Sequence, residues 1–225
     1  MHGIERSPCC AQMIKAGVVK RYSGHTYGCK FSCKVKEGPV ACQLGHQRMI
    51  KLFLASDAKY GLFFEDDVIT THDVSAENLK QEMTDRFAEL STADPAWDML
   101  YLGRCYDDCR KPQKIVGPSK LLVEAKRPLC LHAYVLTKSG AQKVLDSLWP
   151  MKNNVDKVVS ELSRGDNKIL KAYVRSPSLF NTETKAFASA LGTCDVLARR
   201  HTRTGVTSWH DEIILCTFQS FAKEG

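Results

Sequence analysis

The chain predicts an α/β domain, and three observations carry that prediction. Strand-like and helix-like segments alternate through the first two-thirds of the sequence, the pattern of a sheet covered by helices. Its 225 residues are 44% apolar and 25% charged, enough to bury one full core beneath a solvated surface. No internal repeat, low-complexity tract or Gly/Ser linker interrupts it, so residues 1–225 read as a single domain.

Taken in order, residues 8–17 predict a short helix closed by Gly17, and Val18-Val19-Lys20-Arg21-Tyr22 predicts a strand. A loop rich in Gly, Ser and Lys runs from Ser23 to Pro39. Residues 40–56 predict an amphipathic helix, because Cys42, Met49, Ile50, Phe53 and Leu54 fall on one stripe. A strand follows at about 59–65. Asp73 or Ser75 can cap the next helix, in which Leu79, Met83, Phe87 and Leu90 recur at helical spacing. Further strands are expected at 98–102, near 120–124 and at 131–136. Ser139-Gly140 leads into a helix ending before Pro150; Val155 to Leu162 forms another, stopped at Gly165. Ile169 to Val174 is a late strand. Near the end, Ser208 and Asp211 make a capping box ahead of Ile213, Ile214, Phe218 and Phe221, which predicts a terminal helix.

The segment with the most chemistry is Gly61-Leu62-Phe63-Phe64-Glu65-Asp66-Asp67-Val68. An apolar run of strand length ends in three carboxylates. Acids at a strand's carboxyl end point into the crevice where open α/β sheets bind ligands. Alternate side chains of a strand share a face, so Glu65 and Asp67 are expected to project together, with Asp66 opposed. Two hard oxygen donors side by side suit Mg²⁺ or Mn²⁺ on a diphosphate. A solvated acidic turn is the alternative.

Charge and cysteines narrow the partners. A net charge of +7 suits an anionic partner such as a nucleotide-sugar, a phosphorylated acceptor or an acidic surface. Only Arg199-Arg200-His201-Thr202-Arg203 is dense, and it reads as a solvated face; no zinc finger, RNA-binding aromatic motif or basic heptad helix supports nucleic-acid binding. No stretch is long and apolar enough to span a bilayer, and no basic-then-apolar leader opens the chain. With no N-x-[ST] sequon either, the cytoplasm is the default location, and the ten cysteines make the secretory lumen the alternative. Cys29/Cys33 and Cys105/Cys109 stand at C-x3-C spacing, a weak metal signal. The expectation is that the cysteines are buried, reduced and unpaired.

Five segments together resemble glycosyltransferase family 25, the family of bacterial lipooligosaccharide and animal collagen galactosyltransferases. Gly38-Pro39-Val40-Ala41-Cys42-Gln43-Leu44-Gly45-His46 is similar to the family's G-x-x-G-C-x-L-S-H segment. Phe64-Glu65-Asp66-Asp67 matches its F-E-D-D, and Trp97-Asp98-Met99-Leu100-Tyr101-Leu102-Gly103 its W-D-x-x-Y-x-G. Ala133-Tyr134 through Thr137, Gly140-Ala141 and Lys143-Val144 follow A-Y-x-x-S-x-x-G-A-x-K-L, and Val155-Asp156 supplies the family's V-D pair. They occur in the same order and at similar spacing over roughly residues 4–182.

The resemblance implies a GT-A-like nucleotide-diphospho-sugar transferase fold, with a mixed, mostly parallel central sheet flanked by helices. It implies an inverting hexosyltransferase that uses Mn²⁺ or Mg²⁺ and a UDP-hexose, most often UDP-galactose, with a glycan, lipooligosaccharide or protein acceptor. On that basis Glu65 and Asp67 are the candidate metal ligands, and Asp156 is the candidate general base. His46, Asp66, Gly103 and Arg104 are candidate substrate-binding residues. For Asp156 the alternative is an acid at a helix N-terminus; for His46 it is a buried, hydrogen-bonded core histidine. His201 and His210 are further candidates for a C-terminal metal ligand. The sequence departs from the family in two places: Met1 to Arg6 stands where the family opens with a V-I-N-L-D-x-R strand, and Gly45 replaces Ser before His46. Two other functions stay open: a GT-A domain that has lost catalysis and serves as a binding or assembly module, and a phosphotransfer receiver. The receiver needs its Asp at a strand's end, whereas Asp98 opens its strand.

Overall fold

A computed structural model describes residues 37–71, 75–108, 113–165, 168–182 and 213–218. The expected helix at 8–17, the strand at 18–22, most of the loop to Pro39, His201 and His210 lie outside the described residues. The helices are α1 (Glu37–Ala55), α2 (Ala76–Ala93), α3 (Lys138–Leu148) and α4 (Val155–Leu162). The strands are β1 (Tyr60–Glu65), β2 (Val68–Thr70), β3 (Met99–Gly103), β4 (Ile115–Val116), β5 (Leu122–Glu124), β6 (Ala133–Thr137), β7 (Ala172–Arg175), β8 (Phe180–Thr182) and β9 (Ile213–Phe218).

Seven strands form the main sheet in the order β4-β5-β7-β3-β6-β1-β9, and β2 pairs with β8 in a small second sheet. Side-chain alternation along the central strands builds two cores. Phe63, Met99, Tyr101, Tyr134 and Leu136 point to one face, where they pack with Ile50 and Phe53 of α1, Val144 and Leu148 of α3, and Val158 and Val159 of α4. Tyr60, Leu62, Leu100, Leu102, Ala133 and Val135 point to the other, against Leu79, Met83, Phe87 and Leu90 of α2. The helical stripes read from the sequence are the faces that dock.

The helix starts have local causes. Ser75 accepts a hydrogen bond from Asn78 N (3.1 Å) at the start of α2, and Thr137 accepts one from Gly140 N (3.1 Å) at the start of α3. At the far edge from the acids, buried Asp98 accepts hydrogen bonds from Lys143 Nζ (2.6 Å) and Lys171 N (2.9 Å). Gly140 has no room for a side chain, since a Cβ would lie 2.7 Å from Asp98 C. Two of the segments quoted above, Trp97-Asp98 and Gly140 to Lys143, thus meet in one ion pair that pins α3 to the start of β3.

Two expectations are corrected. The sheet is mixed and flanked by helices, but four of its six pairings are antiparallel (β1–β6, β3–β6, β4–β5, β5–β7), and only β1–β9 and β3–β7 are parallel. The reason is β6 and β5, each of which runs against both its neighbours, β6 between β1 and β3 and β5 between β4 and β7. The terminal segment is also not helical at Ile213–Phe218: it is β9, paired parallel with β1 from Tyr60↔Ile213 to Glu65↔Phe218. Six residues of strand-forming type meet six on β1, whose outer backbone groups need partners; that long-range pairing outweighs the local helical spacing.

Strand directions decide where the chemistry gathers. β1 and β3 end at one edge of the sheet, where antiparallel β6 begins, as Phe64↔Ala133 and Gly103↔Ala133 show. A register shift between Tyr101 and Gly103 bulges β3 at this edge, a distortion common beside functional sites.

Candidate active site

At the carboxyl edge of β1 the strand stops at Glu65, and Asp66 and Asp67 form a turn into β2. The pleat therefore does not extend to Asp67, as the sequence suggested. Glu65 and Asp67 are half-buried and Asp66 is exposed.

Glu65 is held from behind. His46, fully buried on α1, lies with Nε2 3.3 Å from Glu65 Oε1 and Nδ1 2.8 Å from Tyr134 Oη. A carboxylate only accepts, so Nε2–H donates to Glu65 and Nδ1 accepts the Tyr134 hydroxyl. Tyr134 is fixed in turn by stacking on Phe63, with centroids 4.9 Å apart. Tyr134 comes from the A-Y segment, His46 from the segment ending in His, and Glu65 from the acidic strand. Three distant stretches of sequence meet in one hydrogen-bonded chain.

Cys42, one helical turn before His46, belongs to the same cluster; its sulfur, a His46 nitrogen and a Glu65 oxygen lie within 4.8 Å of one another. Burial, then Glu65 and then Asp156 push the Cys42 thiol up to about 12, so it stays protonated and is no nucleophile. Asp156 sits in the first turn of α4, half-buried, its Oδ1 accepting from Lys157 N (2.8 Å) and its Oδ2 facing Cys130 N at 3.5 Å. Tyr101 of β3 is fully buried, and its hydroxyl has no hydrogen-bond partner among the described residues. Burial and the charges of Asp156 and Asp107 raise its pKa.

The other candidates take different places. Arg104 is buried and directs Nη1 to Asp107 Oδ2 (3.0 Å). Asp107, which the sequence reading passed over, also accepts hydrogen bonds from Arg127 N (2.7 Å), Gln113 Nε2 (3.1 Å) and Asp108 N (2.8 Å). The Arg104 guanidinium thus serves to organise a loop. Gly103 allows a close approach: a Cβ there would lie 2.6 Å from Phe180 O and 2.7 Å from His132 Cδ2. His132 was missed because a single histidine before a strand carries no periodic or spacing signal. A cleft of about 350 Å³ on the outer face of α1, lined by Leu44, Gln47, Arg48, Lys51 and Leu52, contains none of these acids.

The cysteine expectation is corrected here. Cys105 and Cys130 are joined in a disulfide, while Cys42 is free. The sequence reads them as unpaired thiols, but the fold brings the end of β3 against the segment entering β6, which sets Cys105 opposite Cys130. Cys109 lies outside the described residues, as do Cys9, Cys10, Cys29, Cys33 and Cys194.

Residues 20–159 match the family model described as glycosyltransferase family 25 (LPS biosynthesis protein). Human procollagen galactosyltransferase 2 is 26% identical over 153 residues, covering 63% of this chain and 24% of that protein. Zebrafish procollagen galactosyltransferase 1 is 25% identical over 154 residues, covering 64% of this chain and 25% of that protein. The chain spans about a quarter of the length of these relatives.

Proposed function

The chain belongs to glycosyltransferase family 25, and from that premise we propose that it is a metal-dependent, inverting hexosyltransferase. It moves galactose from UDP-galactose to a hydroxyl of a glycan or of a hydroxylated protein. The observation that carries this reading is the hydrogen-bonded chain Glu65–His46–Tyr134, in which three of the family's segments meet at the carboxyl edge of the central strands. The donor sugar and the protein acceptor are taken over from the procollagen galactosyltransferases that the chain resembles.

In a direct displacement the acceptor oxygen attacks the anomeric carbon, the bond from that carbon to the diphosphate breaks, and a base takes the hydroxyl proton. Asp156 is that base. One of its oxygens is engaged by Lys157 N and the other only distantly by Cys130 N, which leaves lone pairs for a substrate proton. Glu65 and Asp67 are half-buried hard oxygen donors, and that donor set fits Mn²⁺ or Mg²⁺. Bound there, the ion would offset the charge that builds on the departing diphosphate. His46, buried behind Glu65, sets the orientation of that carboxylate rather than touching substrate, and Tyr134 fixes the ring. Exposed Asp66 is the acid left to meet the donor. The Cys105–Cys130 disulfide favours an oxidising compartment, the secretory lumen, as the setting.

The test is to incubate the full chain with a panel of nucleotide-sugars, with and without Mn²⁺, and to measure release of nucleoside diphosphate. UDP release from UDP-galactose only when the metal is present is the expected result. Donor binding without release, with any acceptor sugar, would favour the non-catalytic binding module instead.

A further inference from the structure

Cys105 follows β3, and Cys130 and His132 precede β6, so all three stand at the functional edge of the sheet. Their two sulfurs and a ring nitrogen of His132 lie within 4.8 Å of one another. His132 is fully buried, with Nε2 3.3 Å from Phe180 O. A carbonyl only accepts, so Nε2 carries the proton and Nδ1 keeps its lone pair. Nδ1 is buried and has no hydrogen-bond partner among the described residues. An imidazole with one N–H on a backbone carbonyl and the other nitrogen bare is in the state in which histidine ligates metals. Cys130 is held at φ 70°, a left-handed conformation that non-glycine residues adopt where their surroundings impose it.

We infer that Cys105, Cys130 and His132 form a redox-gated zinc site, closed while the sulfurs are joined and open to Zn²⁺ once the disulfide is reduced. A dithiol supplies the two electrons and two protons, becoming a disulfide itself as Cys105 and Cys130 become thiols. Zn²⁺ then takes both sulfurs as thiolates and His132 through Nδ1, and two protons leave to solvent. Two thiolates and an imidazole match zinc's preference and leave one tetrahedral position for water. The soft sulfurs distinguish this site from the oxygen donors Glu65 and Asp67, which suit Mg²⁺ or Mn²⁺.

The test uses the full chain, oxidised or reduced with a phosphine, titrated with Co²⁺ as an absorbing stand-in and then with Zn²⁺. The reduced protein should show thiolate-to-cobalt charge transfer and tetrahedral d–d bands that Zn²⁺ abolishes. It should bind one more ion than the Cys105→Ser/Cys130→Ser variant. His132→Asn should weaken that ion's affinity by at least the roughly 10–100-fold that loss of even a second-shell partner costs. A readout without variants guards against misfolding: in the reduced unmodified chain, Zn²⁺ should protect Cys105 and Cys130 from alkylation, as read by mass spectrometry. Equal alkylation of the two with and without Zn²⁺, or equal metal uptake by the reduced chain and the double-cysteine variant, would overturn the inference. None of these readouts depends on sugar transfer, so the result stands apart from the fate of the proposed activity.

Discussion

Asp156→Asn separates the two roles that its position allows. The carboxylate lies in the first turn of α4, where a negative charge stabilises a helix by about 0.3–1 kcal/mol. Its hydrogen bond from Lys157 N survives in Asn, because the amide oxygen still accepts. Asn is also nearly the same size, so no cavity opens among Val155, Val158 and Val159 behind it. The structural cost is therefore at most about 1 kcal/mol, which for a chain of this size lowers Tm by roughly 2–4 °C. What Asn cannot do is take a proton near neutral pH. If Asp156 is the base, kcat falls by about 10²–10⁴-fold, the usual worth of general base catalysis. Donor affinity, set at Glu65 and Asp67, stays unchanged. The assay pairs initial rates, with the acceptor or a hydroxylysine surrogate, against calorimetric binding of the UDP-sugar and a melting curve. A variant that transfers sugar at the unmodified rate would show that the base lies elsewhere. A variant that loses rate and donor affinity together would show that Asp156 shapes the site without acting on the acceptor.

Three further outcomes are expected. Glu65→Ala and Asp67→Ala should each abolish Mn²⁺-dependent binding of a UDP-sugar in calorimetry while leaving the circular dichroism spectrum intact; unchanged affinity in both would remove the metal site. Lys143→Met leaves the buried Asp98 carboxylate with one backbone donor; because Lys143 itself is about a third exposed, the cost is that of an under-satisfied buried acceptor, about 1–3 kcal/mol, and urea unfolding should show a loss of that order. A loss within about 0.5 kcal/mol, the range of ordinary surface substitutions, would make the pair incidental. Cys42, its thiol pushed up to about 12 from an ordinary 9.0, holds roughly 10³-fold less thiolate at pH 8 than a free cysteine. In the native chain iodoacetamide should label it about that much more slowly than in urea, and equal rates would refute its burial beside Glu65. The raised pKa disfavours the thiolate in the folded state, so this protection is complete below pH 9 and fades only as pH climbs toward 12.

Much of the chain was legible without coordinates because its periodicities are local. The stripe of Met49, Ile50 and Phe53, the turn-spaced Leu79, Met83, Phe87 and Leu90, and the apolar runs of β1 and β3 each state a helix or a strand within a few residues. The abrupt change from Phe64 to Glu65 likewise marks where a strand leaves the core. Family membership was legible too, from five short segments in a fixed order. Which groups touch was not. His46 read as one histidine on an apolar helix until Tyr134 and Glu65 closed on its two nitrogens. Asp98 and Lys143 were separate motif residues until β7 and α3 brought them together. Cys105 and Cys130, 25 residues apart, carried no pairing signal in the sequence and are joined in the fold, because a disulfide follows the distance between Cβ atoms in space. Ile213–Phe218 carried a helical spacing and became a strand, since the unpaired edge of β1 offered six residues of backbone hydrogen bonding that a lone helix could not match. Sequence determines the elements through interactions a few residues long; the site is made of contacts between elements, and only the packing of the sheet settles those.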